Sequence, residues 1–221
     1  MKNNNQLNIP LIPILPKQKA KFIFIGRDPS PRTATKVGLR GGRSVFNKEI
    51  FSITDEANIP DEDIYITNMC KCHWRTSVGT PLIGTENRST KLPKVIAKTC
   101  IENWLIKEID VLKPKIIFSF GEELYKLLYH YIVHPNHPPK KLSASKDKSV
   151  MDAEKYFNEN GPFKIQFNST IFNFVPLRHA GNSTRLCKNI PGDERLNSSI
   201  KSRKQVLKLL QEIRKSTQIN H

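Results

Sequence analysis

Negative charge is scarce at the start of this chain. Between Met1 and Lys48 the sole acidic residue is Asp28, in FIFIGRDPSPRTATKVGLRGGRS, while nine Lys and Arg lie between Lys17 and Lys48. A second stretch, from Asn160 to Gly192, has no Asp or Glu at all. Long apolar runs are also missing: no 18 consecutive apolar residues occur, which argues against a membrane-spanning helix. The opening NIPLIPILPK is apolar but interrupted by three prolines, so it fits neither a signal-peptide core nor a span. A polyproline-like arm packed across the domain surface suits it better. Four cysteines (Cys70, Cys72, Cys100, Cys187) without a secretory leader point to a reduced, cytoplasmic protein rather than a disulfide scaffold. Neither GxxxxGK[ST] nor GxGxxG occurs, which weighs against a standard nucleotide-phosphate cradle. No internal repeat is visible.

What is present is positive. Thirty-six Lys and Arg against 20 acids give a net charge of +16, and the pI is near 9.8. Such a surplus favours a polyanionic partner, nucleic acid before others. A Lys-rich composition alone would raise the total, but it would not clear acids from two particular stretches. At 221 residues the length suits one well-buried α/β domain spanning 1–221, with 1–20 as the Pro-rich arm.

Four short apolar segments, β-branched or aromatic, read as strands: KFIFIG (21–26), DIYITN (63–68), KIIFSFG (115–121) and IFNFVPL (171–177). Helical patterns separate them at Ser44 to Ala57, Leu92 to Leu112 and Glu122 to Val133, and a last one, Asp193 to Lys215, closes the chain. FKIQFNST (163–170) reads as an extra strand beside the fourth, and the Lys- and Pro-rich 134–150 as a loop insertion, mobile or DNA-facing, with a solvated loop as the default. Strand and helix in alternation imply a three-layer α/β sandwich: a mainly parallel sheet of four to five strands with helices on both faces. In such sheets ligands sit beyond the carboxyl ends of the strands. That rule sends Asp28, Asn68 and His179, which follow or end the first, second and fourth strands, to one edge.

Taken singly these residues are ambiguous. Asp-Pro after a strand is often a turn, an Asn often ends a strand, and a His in a Gly-containing loop often bonds to backbone. Their order is more informative. GRDPSP, YITNMCKC, LKPKIIFSFG and PLRHAGNSTR occur in succession, and the set resembles the uracil-DNA glycosylase superfamily over about residues 21–190. GRDPSP resembles the water-activating GQDPYH of the first family and the GxNPG of the mismatch-specific ones. YITNMCKC and LKPKIIFSFG resemble YITNVVKC and LKPKVIVALG of the thermophile-type, iron–sulfur family. PLRHAGN resembles the histidine motif that begins HPS. The subgroup is left open by this mixture.

The resemblance implies a monofunctional DNA glycosylase that flips a pyrimidine out of DNA and leaves an abasic site. Asp28 would stabilise positive charge on the sugar and orient or deprotonate the attacking water, and His179 would donate to a pyrimidine oxygen as the base departs. Asn68, with a donor and an acceptor on one amide, would read the base edge, in a pocket shared with Gly26, Arg27, Ser30 and Gly38. Arg32, Lys36, Arg40 and Arg43 would meet phosphates, as would the loop with Asn182 and Ser183. Arg185 or Leu186 would fill the gap left by the flipped base. A monomer acting on DNA, away from membranes, is expected. The rival class is a glycosylase-like module that binds DNA or a modified base without cutting it.

Two departures bear on substrate. Ser30 stands where the first family has a Tyr against pyrimidine C5, and Gly38 falls near the thermophile family's stacking Phe. Both leave space, so a C5-modified cytosine, as in some phage DNA, joins uracil as a candidate, and phage defence becomes a conceivable role. Cys72 and Cys100 match two of the four cysteines that hold a 4Fe–4S cluster in the thermophile family, and no cysteine lies upstream of the first strand. No cofactor and no metal are therefore expected.

Overall fold

The structure, a computed structural model, describes residues 20–27, 45–70, 94–133, 149–178 and 194–218. Among the described residues six strands form one sheet in the order β2-β1-β3-β6-β5-β4. They are β1 Phe22–Gly26, β2 Ile64–Asn68, β3 Ile116–Phe120, β4 Ile132–Val133, β5 Phe163–Phe167 and β6 Thr170–Leu177. β2, β1, β3 and β6 run parallel, whereas β5 pairs antiparallel with β6 and β4 antiparallel with β5. The α/β reading holds with a wider and more mixed sheet than the four to five strands expected. One reason is that the Glu122 to Val133 stretch is not helical throughout: helix gives way to a 3-10 turn at Tyr129–Tyr131, and Ile132–Val133 then pairs with β5.

Burial explains which strands lie where. β1 and β3 are buried at every position, as central strands covered on both faces must be. β5 alternates, with Phe163, Ile165 and Phe167 inward and Lys164 and Gln166 exposed, because only one of its faces meets the core. Phe24 and Phe118 stack across the β1/β3 pair at 4.8 Å and 9°. β5 and β6 are joined by a tight turn in which Asn168 takes φ 51°, the left-handed conformation such hairpins demand.

The helices among the described residues are α1 Val45–Glu56, α2 Lys94–Cys100, α3 Ile106–Leu112, α4 Glu122–Leu128, α5 Val150–Asn160 and α6 Glu194–Gln218, with a π turn at Ile101–Leu105 joining α2 to α3. α5 was not anticipated: it begins at the last residue of the segment read as loop. Ser149 caps it, its hydroxyl accepting from Met151 N at 3.1 Å, and Val150, Ala153 and Phe157 face the core. α6 packs on α1 and α5, burying Val206 and Leu210. Its Arg203 reaches Glu49 (3.2 Å), Ser52 (3.0 Å) and Glu56 (2.9 Å), three residues on one face of α1. Among the described residues no helix is long and apolar enough to cross a membrane.

Lys113 ends α3 with φ 46° and ψ 57°, a left-handed cap usually taken by glycine. Its side chain is exposed. Lys113→Gly is expected to raise stability by about 0.5–1 kcal/mol in urea denaturation, as relief of the Cβ clash outweighs the added freedom of the unfolded chain.

Candidate active site

Register fixes which residues meet at the carboxyl edge of the sheet. Gly26 pairs with Asn68 across β1 and β2. Ile25 pairs with Ser119, and Ser119 with Pro176, so the next residues, Gly26, Phe120 and Leu177, form one row with Asn68. All four strands of this row point the same way. Asp28 lies two positions along the chain past Gly26, and His179 two positions past Leu177. Since β3 alone separates β1 from β6, the two strands that carry them are about 10 Å apart.

Backbone hydrogen bonds extend the order past the strand ends. Met69 N donates to Gly26 O (2.8 Å) and Cys70 N to Arg27 O (2.9 Å), holding the chain next to β2 as far as Arg27. Gly121 N donates to Leu177 O at 2.8 Å, tying the end of β6 to that of β3. Gly121 has φ 102° and ψ 154°, a region essentially closed to side chains, and this lets β3 turn at once into α4.

Side chains clamp the same edge. Arg27 Nη1 donates to Glu123 Oε2 at 2.8 Å, with both side chains partly exposed (21% and 32%). Arg178 Nε donates to Glu154 Oε2 at 2.6 Å, and this pair is far more enclosed, at 14% and 4%. Burial pushes the Glu154 carboxyl above the usual carboxylate range, with Arg178 and the Ser202 hydroxyl pulling it back down. Asn158 Nδ2 donates to Ser202 Oγ at 2.9 Å, so α5 and α6 are joined behind the pair. On β2, Thr67 Oγ1 donates to Glu108 Oε2 at 3.1 Å, and burial together with the nearby Glu108 carboxylate raises the Tyr65 phenol above its ordinary value.

Of the residues singled out from sequence, the structure places Gly26 buried at the end of β1, Asn68 half-buried at the end of β2, and Arg27 just beyond the row. The Arg27 guanidinium, expected to line the base pocket, has a carboxylate partner in Glu123. Asp28, Ser30, Arg32, Lys36, Gly38, Arg40, Arg43, Cys72, His179, Asn182, Ser183, Arg185 and Leu186 lie outside the described residues. Cys100 is buried and its Sγ donates to that of Cys70 at 3.7 Å, with no disulfide between the two. A 4Fe–4S cluster takes four thiolates. Among the described residues no group of three or more His, Cys, Asp or Glu could hold a metal ion, and Cys72 and Cys187 lie outside those residues. Sequence reasoning passed over Arg178, Glu122, Glu123 and Glu154. Adjacency to His179 and to Gly121 was the available signal for three of them, and Glu154 offered none.

The parallel α/β core ends at its carboxyl edge in the row Asn68, Gly26, Phe120 and Leu177, and sheets of this class bind ligands beyond that edge. Residues 12–179, well over half of the chain, match the profile of the Uracil DNA glycosylase superfamily, and the chain belongs to that superfamily. Its members are DNA glycosylases, hydrolases that act on DNA.

Proposed function

We propose that this protein is a monofunctional DNA glycosylase, acting as a cytoplasmic monomer without a cofactor, that extrudes a pyrimidine nucleotide and hydrolyses its N-glycosidic bond. The observation that carries the reading is the shared row of Asn68, Gly26 and Leu177. β1 and β6, the parallel strands flanking β3, end in this row two chain positions before Asp28 and His179, on the edge where Asn68 ends β2.

In the reaction the bond between C1′ and the base nitrogen breaks, and its electron pair leaves with the base. Asp28 faces the sugar, where its charge stabilises the developing cation and it accepts a proton from the water that adds to C1′. His179 donates to a carbonyl oxygen of the base and stabilises the departing anion. Asn68 holds the edge of the base by accepting and donating through one amide. The cations of the stretch whose sole acid is Asp28, namely Arg32, Lys36, Arg40 and Arg43, hold the polyanion around that one negative group. No Lys occupies the matched catalytic positions, which favours water over a Schiff base as the nucleophile.

Ser30 and Gly38 in place of bulky pocket residues support a C5-modified cytosine as substrate, with defence against phage carrying such DNA as the role. The test is mass analysis of bases released from oligonucleotides bearing uracil, a thymine mismatch, 5-hydroxymethylcytosine or glucosylated hydroxymethylcytosine. Release of a modified cytosine is expected. Release of uracil alone would overturn the wide-pocket assignment, and binding with no release from any member would favour the non-cutting module.

A further inference from the structure

The residues immediately before Asp28 and His179 are both arginines held by glutamates, and the two ion pairs belong to one connected set of contacts. Arg27 is paired with Glu123 in the first turn of α4. Its neighbour Glu122 accepts from Val150 N through Oε2 at 2.7 Å, satisfying a backbone donor at the start of α5 that has no partner within the helix. One turn further along α5, Glu154 takes Arg178. Ser202 of α6 bonds to Glu154 and is itself held by Asn158. Covalent neighbours and hydrogen bonds thus run from Arg27 to Arg178 around the end of β3.

We propose that Glu123 and Glu154, joined through Glu122 and the start of α5, form a brace that sets the spacing and direction of the two strand ends leading into Asp28 and His179. Both glutamates are positioning residues, and the inference rests on the catalytic reading given above. Stability alone is a poor reason for this arrangement. A buried pair such as Arg178 with Glu154 roughly breaks even against an apolar substitute, because both charges give up water. What it adds is geometry: a guanidinium meets a carboxylate in few orientations, which fixes the backbone that bears it. The chemistry is sensitive to such fixing, since misplacement by about 1 Å costs on the order of 10²-fold in rate.

The test uses the full chain with Glu123→Gln, Glu154→Gln and the double variant. The substrate is whichever oligonucleotide of the panel the unaltered protein cleaves, at a temperature where every variant is folded. Single-turnover release is expected to slow by about 10-fold or more in each single variant while Kd for the same DNA stays within about threefold. The double variant is expected to lose less than the product of the two, because both changes relax one spacing. Arg178→Lys, which keeps the charge but not the Nε–H geometry, is expected to slow release comparably with a smaller fall in Tm. Release rates within twofold of the unaltered protein, with only Tm lowered, would overturn the brace alone. So would a slowing that follows a matching rise in Kd. No release by the unaltered chain from any oligonucleotide would overturn the glycosylase reading and the brace with it.

Discussion

Asp28→Asn is expected to slow base release by about 10³-fold in single-turnover assays while leaving DNA binding intact or tighter. The substitution keeps the size of the side chain and one of its oxygens, and removes the charge and the capacity to take a proton. If Asp28 faces the sugar, both losses fall on the transition state and neither on the ground state, so the rate constant drops and Kd does not rise. Loss of a negative group from a stretch holding nine cations should, if anything, favour the phosphate backbone. His179→Ala separates the partner role: it removes a donor to the leaving base, for which a loss of about 10²–10³-fold is usual. Release by Asp28→Asn at more than a tenth of the original rate would remove Asp28 from the reaction.

The largest expected effect on stability belongs to Phe118. It sits in the middle of β3, fully buried, paired with Phe24 of β1 on one side and Val175 of β6 on the other, and its ring stacks on that of Phe24. Phe118→Ala should cost about 3–5 kcal/mol, the sum of lost apolar burial and a cavity that two central strands cannot close. The ring stack adds about 1 kcal/mol that a smaller apolar residue would also forfeit. In urea denaturation this appears as a lowered midpoint with an unchanged m-value. A loss below about 1 kcal/mol would mean that the sheet collapses around the gap.

The parallel part of the sheet was legible because its strands are short apolar runs, the first three closed by Gly or a polar residue, a signal that needs no partner. α5 was legible in principle. Ser149 followed three residues later by Asp152 is a capping pattern, and Val150, Ala153 and Phe157 lie at helical spacing. The polar, Lys-rich run before it drew the boundary past its start. β4 is two residues long and exists through its pairing with β5, so nothing local announces it. The π turn between α2 and α3 likewise has no marker in composition. The carboxyl-edge placement of Gly26 and Asn68 followed from the strand rule alone. The pairs Arg27–Glu123 and Arg178–Glu154 join residues 96 and 24 positions apart, and no periodicity reports on such contacts.

The superfamily match stops at residue 179, yet α6 begins at Glu194 and supplies Ser202, Val206 and Leu210 to the interior. A shortened gene ending at the matched boundary would therefore encode a body with one wall stripped. Its newly wet apolar flank on α1 and α5 would invite clumping in the expression host, and the carboxylate of Glu154 would lose the hydroxyl that steadies it.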